Sequence, residues 1–134
     1  MTTELFVLTL TSVLLASLWI PYIVGVNMQK GDSSYAFERP ADLREMPAWV
    51  HRAHRAHLNL LEQFTPFAAL VILTHVLGVS NSITGWAVVV FLSVRVLHAV
   101  GMISGVAKFP ARPMIFLIGW ISILVLAWQV LANG

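Results

Sequence analysis

Cysteine is absent from this sequence, which excludes disulfides, thiolate metal sites and a cysteine nucleophile within the chain. The absence carries no information about redox compartment. Charge is scarce too. Only 10% of the residues are Asp, Glu, Lys or Arg, against about 25% in soluble domains. The formal net charge of +2 is too small, and its carriers too scattered, for a nucleic-acid footprint. Positive residues are missing from the amino-terminal Met-Thr-Thr-Glu, and a long apolar run follows it. An uncleaved first span is therefore expected rather than a removed signal peptide. No internal repeat or low-complexity tract is evident.

What the chain has in quantity is apolar sequence. It is 58% hydrophobic over 134 residues, with a mean hydropathy of +0.82. These values mark an all-α integral membrane protein, a four-transmembrane-helix bundle in one domain over residues 1–134. The spans are expected at about 5–26, 48–77, 83–106 and 113–132, each long enough to cross roughly 30 Å of hydrocarbon. Pro21 cannot donate to the carbonyl of Ser17, so the first span should kink there. Trp19 and Tyr22 suit a membrane interface. Gly31, Ser33, Ser34 and two prolines argue against one long helix between the first two spans, although 41–46 suits a short turn. Pro47 fits the first turn of the second helix. Gly78 to Ser82 reads as a helix stop followed by a cap for the next start. Ala107 to Pro113 forms a short polar loop with Lys108 and Arg112.

Basic residues give the orientation. Five (Lys30, Arg39, Arg44, Arg52 and Arg55) lie in or beside the first loop, and two (Lys108 and Arg112) lie in the third. The second loop has none. The positive-inside rule then puts loops one and three in the cytoplasm and both termini outside.

The chemistry concentrates in residues 52–67. Arg52, Arg55, Asn59, Glu62 and Pro66 recur at steps of three and four and so line one helix face. An uncompensated charge at mid-bilayer costs about 2.5–3.5 kcal/mol on insertion scales, so Glu62 should face protein or a watery cleft. Arg95 lies deep in the third span as its counterpart. Counting from the Gly78 turn, Glu62 is roughly 24 Å down and Arg95 roughly 17 Å down, a gap that an arginine side chain spans. The two are expected to pair, whether as a brace for the bundle, as part of a site, or as both. Pro66 frees the Glu62 carbonyl for another partner. Asn59 offers donor and acceptor, either as interhelical glue or in a polar cleft.

His98, three residues after Arg95, shares its face, and Met102 extends that face by a turn. His75 reads as a packing residue. His51 and His57 sit roughly 120° apart on a helix and no third ligand is evident, so no metal site is assigned. Lys108 and Arg112 either orient the protein or form an anion site for a carboxylate or thiolate.

At Arg55-Ala-His-Leu-Asn59-Leu-Leu-Glu62, Pro66-Phe67 and Arg95-Val-Leu-His98, the sequence resembles the membrane-associated proteins of eicosanoid and glutathione metabolism, the MAPEG family. The overall pattern is similar to its short prokaryotic members. The resemblance implies a homotrimer of four-helix subunits in a bacterial inner membrane, in contact with membrane lipids and lipophilic small molecules. It implies glutathione as co-substrate, with Asn59 and Glu62 contacting it, Arg95 bracing Glu62 and His98 nearby. Arg55 and Lys108 become the candidates for its carboxylates, and Arg112 the catalytic group that favours thiolate. The implied activity is a transferase or peroxidase acting on lipophilic electrophiles or lipid hydroperoxides. Two positions depart from the pattern. Met102 stands where many glutathione-using members carry tyrosine, and Leu58 where some carry a basic residue. These departures favour the alternative, a non-catalytic membrane scaffold for a lipid or a protein partner.

Overall fold

The computed structural model describes residues 1–28 and 42–134. Most of the first polar loop, including Lys30 and Arg39, lies outside the described residues. Five helices follow in order: α1 (Thr3–Ser17), α2 (Ile20–Met28), α3 (Ala48–Val76), α4 (Ser82–Ser104) and α5 (Ala111–Asn133). The described residues contain no strand. Taken together, α1 and α2 form one membrane-length segment, Thr3–Met28, and α3, α4 and α5 are each long and apolar enough to cross a membrane. The protein is an all-helical integral membrane protein with four candidate spans.

Local chemistry explains the helix limits. The expected kink is a break. α1 ends at Ser17, Leu18 N–H turns back to the Leu15 carbonyl at 3.3 Å, and α2 starts one residue before Pro21. After α3, Gly78 takes a left-handed φ of +69°, open to glycine without steric cost. Asn81 then caps α4: its Oδ1 accepts the amides of Ile83 (2.8 Å) and Thr84 (3.1 Å), and the Thr84 hydroxyl accepts the Asn81 amide at 2.9 Å. This reciprocal pair satisfies donors that a helix start otherwise leaves bare. Gly105, at φ +79°, ends α4. Pro66 lies inside α3, which continues through it.

α4 packs against α1, α3 and α5, and α3 also packs against α1, α2 and α5. One core cluster joins Val7, Phe67, Val71, Val88, Phe91 and Leu126, with Phe67 and Phe91 stacked at 3.9 Å between ring centroids. A second, nearer the basic loops, joins Leu18, Ala56, Leu60, Ala99 and Met102. Large apolar side chains such as Trp86, Leu97, Trp128 and Leu131 point outward. Such a surface suits lipid, where close packing and polar contacts between helices replace the hydrophobic drive.

Candidate functional site

Three helices supply the residues singled out by sequence. Along α3 the buried positions are Val50, Ala53, Ala56, Asn59, Leu60, Gln63, Phe67, Val71 and Thr74. At about 100° per residue, the centre of this packed face lies about a quarter-turn away from the centre of the Arg52–Pro66 polar stripe. Asn59 stands where the two overlap and is 7% exposed. Arg55, Glu62 and Pro66 fall on the outward side and are exposed.

α4 contributes Arg95 and His98, both buried, at 2% and 3% exposure. Arg95 reaches toward α5. Its Nη2 donates to the Phe116 carbonyl at 3.2 Å, and its guanidinium carbon lies 5.3 Å from the Phe116 ring centroid and 5.5 Å from that of Phe91. Gly119 makes the room: a Cβ there would stand 2.9 Å from Arg95 Nε. Nε and Nη1 have no hydrogen-bond partner. A buried guanidinium left this way carries a desolvation cost that only an anion or further acceptors can offset.

The expected Glu62–Arg95 pair does not form within the chain. The one ion pair among the described residues is Arg44 Nη2 to Asp42 Oδ2 at 2.7 Å, on the surface, where the Arg44 hydrogen bonds hold the Asp42 carboxyl down at about 2. Glu62 and Arg95 are compatible in axial position along their helices. Rotation about α3 sends Glu62 outward while Arg95 points between α4 and α5.

The foot of α5 and the turn before it complete the arrangement. A cavity of about 660 Å³ is lined by Asn59 from α3, His98 from α4, Lys108 and Phe109 from the turn, and Arg112, Pro113, Phe116 and Leu117 from α5. Of the residues expected in a site, the structure thus brings together Asn59, His98, Lys108 and Arg112. Arg95 adjoins them through Phe116, and Arg55 and Glu62 lie outside the lining. Among the described residues, two cations and no carboxylate line the cavity, so it is suited to an anionic group beside an apolar wall.

Some contributors were not anticipated. Phe116 and Gly119 position Arg95, and the only sequence signal was a glycine in an apolar helix. Gln63 is buried with both ends of its amide unpartnered, and the Nδ1 atoms of His54 and His57 are likewise buried and free of hydrogen bonds. His54 instead sets its ring against Tyr22, 4.6 Å between centroids. Met102, expected to extend the Arg95–His98 face, is buried in the second core cluster and not in the cavity lining.

A family model described as the MAPEG family matches residues 6–132, nearly the whole chain. The chain belongs to the MAPEG family. No curated protein matches it. The MAPEG family covers glutathione-dependent transferases and peroxidases as well as other members, so membership sets the range of activities without choosing among them. In this MAPEG protein the cavity that gathers the basic residues lies where α3, α4 and α5 meet near the Lys108–Arg112 turn.

Proposed function

We propose that this MAPEG protein is a glutathione-dependent membrane transferase or peroxidase acting on lipophilic electrophiles or lipid hydroperoxides. The observation that carries the reading is the cavity lined by Lys108 and Arg112, with no carboxylate among the described residues, beside a buried Arg95 whose Nε and Nη1 have no hydrogen-bond partner. Glutathione presents two carboxylates and a thiol, and each gains from a fixed cation. Lys108 holds a carboxylate, Asn59 an amide, and Arg112 favours thiolate over thiol. The thiolate attacks an electrophilic carbon from the bilayer; a C–S bond forms as the bond to the leaving group breaks. With a hydroperoxide it attacks the terminal oxygen instead: an S–O bond forms as the O–O bond breaks, the alkoxide takes a proton and leaves as the alcohol, and the glutathione sulfenic acid reacts with a second glutathione to give the disulfide and water.

Assembly as a homotrimer belongs to the same reading. Glu62 is exposed midway along α3, where lipid contact costs about 2.5–3.5 kcal/mol, so a neighbouring copy covers it and brings Glu62 and Arg55 into a shared site. Native mass spectrometry in mild detergents checks this: a dominant monomer or dimer across several detergents sinks the trimer. We further propose a bacterial inner membrane, with the Lys108–Arg112 turn in the cytoplasm and both termini outside, from the balance of basic residues. With no native cysteine, single cysteines at Ser80 and Ala111 label without background, and the reverse accessibility refutes the orientation.

One observation favours the scaffold alternative. Met102, 2% exposed, packs among Leu18, Ala56, Leu60 and Ala99, so nothing phenolic reaches the cavity from that position. A glutathione titration read by thermal shift separates the two. No saturable effect up to about 10 mM, beyond the common range of KM values, ends the enzyme reading and leaves the scaffold.

A further inference from the structure

We infer that Arg52 is a positioning residue, a clamp from α3 that fixes the α4–α5 turn and thereby sets Lys108 and Arg112 at the cavity. Arg52 is half-buried. Its Nε donates to the Met102 carbonyl at 2.9 Å and its Nη2 to the Ile103 carbonyl at 3.4 Å. These carbonyls belong to the last turn of α4, where acceptors have no partner within the helix and the backbone dipole favours a cation.

The turn they begin is closed tightly. Gly105 N–H returns to the Met102 carbonyl at 3.2 Å and Ala107 N–H to the Gly101 carbonyl at 2.9 Å. Gly105 takes φ +79°, and a Cβ there would lie 3.1 Å from Arg52 Nη2, so the guanidinium rests directly on the reversal. Lys108 follows at once, and its carbonyl accepts the Arg112 amide at 3.1 Å. Any shift of the turn relative to α3 therefore moves both cations together. Arg52 and Asn59 are seven residues apart on α3, about two turns, so the helix that supplies Asn59 also holds the turn that supplies the cations.

The triplet Arg-Ala-His occurs twice, at 52–54 and 55–57, and the two arginines have different work. Three residues rotate a helix by about 300°. That step takes the guanidinium from the end of α4, at Arg52, to the exposed side, at Arg55.

Hydrogen exchange of the whole protein in nanodiscs tests the clamp without any ligand. In Arg52→Ala, exchange at Gly105 and Ala107 should quicken about tenfold, the weight of one charge-assisted hydrogen bond, with the centre of α4 around Val88 and Phe91 unchanged. Arg52→Lys keeps the charge without the fork and should fall between the two, which also decides the matter if the alanine variant does not fold. Unchanged exchange at Gly105 and Ala107 in either variant overturns the clamp, and so does a uniform loss of protection across the bundle. The consequence for Lys108 and Arg112 rests on the glutathione reading. There, Arg52→Ala should raise KM for glutathione about tenfold, with partial rescue by lysine, whereas a smaller folded fraction lowers apparent kcat and leaves KM alone. Localised faster exchange with an unchanged KM overturns the link to the cavity. A wild-type protein with no glutathione-dependent turnover refutes the function instead, and the exchange data then decide the clamp by themselves.

Discussion

The two ends of the helix bundle treat buried polar groups differently. Away from the Lys108–Arg112 turn, Glu4 is 3% exposed but its Oε1 accepts the Thr84 hydroxyl at 2.6 Å. Beside it, Asn81 Nδ2 donates to Gln129 Oε1 at 2.8 Å, and Asn133 Nδ2 donates to the Gln129 carbonyl at 3.1 Å. In the basic half, by contrast, buried atoms of His54, His57, Gln63 and Arg95 have no hydrogen-bond partner. The first cluster ties α1, α4 and α5 together through hydrogen bonds made within the chain, with a cavity of about 680 Å³ beside Glu4 and Asn81. The second is left incomplete within the chain, and its Arg95 adjoins, through Phe116, the cavity that Asn59, His98, Lys108 and Arg112 line. Polarity inside a membrane protein thus has two distinct uses, and counting polar residues does not separate them. Whether the partners are already present does.

The largest expected effect strikes the incomplete end. Arg112→Ala should lower turnover of chlorodinitrobenzene about 100-fold, the usual weight of one group that stabilises developing charge, while the glutathione-induced thermal shift persists. Normal turnover in that variant removes Arg112 from the chemistry and makes Lys108 the residue to test next.

Gly119→Val should come second, costing about 2–3 kcal/mol in reversible unfolding, because the added side chain occupies the place of the Arg95 guanidinium. Combining it with Arg95→Met should recover much of the loss, since methionine withdraws the unpaired charge and adapts to the remaining space. Additive losses in the double variant would show that the two side chains do not compete.

Thr84→Val breaks the complete end. It takes the hydroxyl donor from Glu4 and the acceptor from the Asn81 amide, and a cost of about 2 kcal/mol is expected for one interhelical hydrogen bond and half of the helix cap. The glutathione response should remain that of the wild type. A loss of response there would mean that the two ends are coupled and that the comparison drawn above fails.

Smallest is the coupling between Glu62 and Arg95. Because the side chains do not meet within a chain, Glu62→Gln and Arg95→Gln should add within about 0.5 kcal/mol in a double-mutant cycle on dissociated subunits. A larger coupling that appears only in the assembled protein would locate the meeting across copies.

Much of the fold was legible because its signals are local. Charge-free runs marked the spans, Pro21 the break between α1 and α2, and Gly78 with Asn81 the turn between α3 and α4. The candidate cavity was legible in part, by residue type. Asn59, His98, Lys108 and Arg112 were each chosen for chemistry scarce in an apolar chain, and they do line one cavity. Gly119 and Phe116 went unread because neither has unusual chemistry; each matters only through its contact with Arg95. Arg52 was read as one more member of the polar stripe, since nothing in a spacing pattern shows that an arginine will end on the carbonyls of another helix.

The sequence by itself determined the class of the molecule, the number of candidate spans and how far along its helix each described charge lies, because hydropathy and helical rise act residue by residue. The tertiary structure decided how α3 turns about its own axis. Packing of Ala56, Leu60 and Phe67 against the other helices chose that rotation, and it carried Asn59 to the cavity, Arg52 to the end of α4 and Glu62 to the outside. Axial rise is a property of one helix, whereas rotation is settled only by the neighbours it packs against.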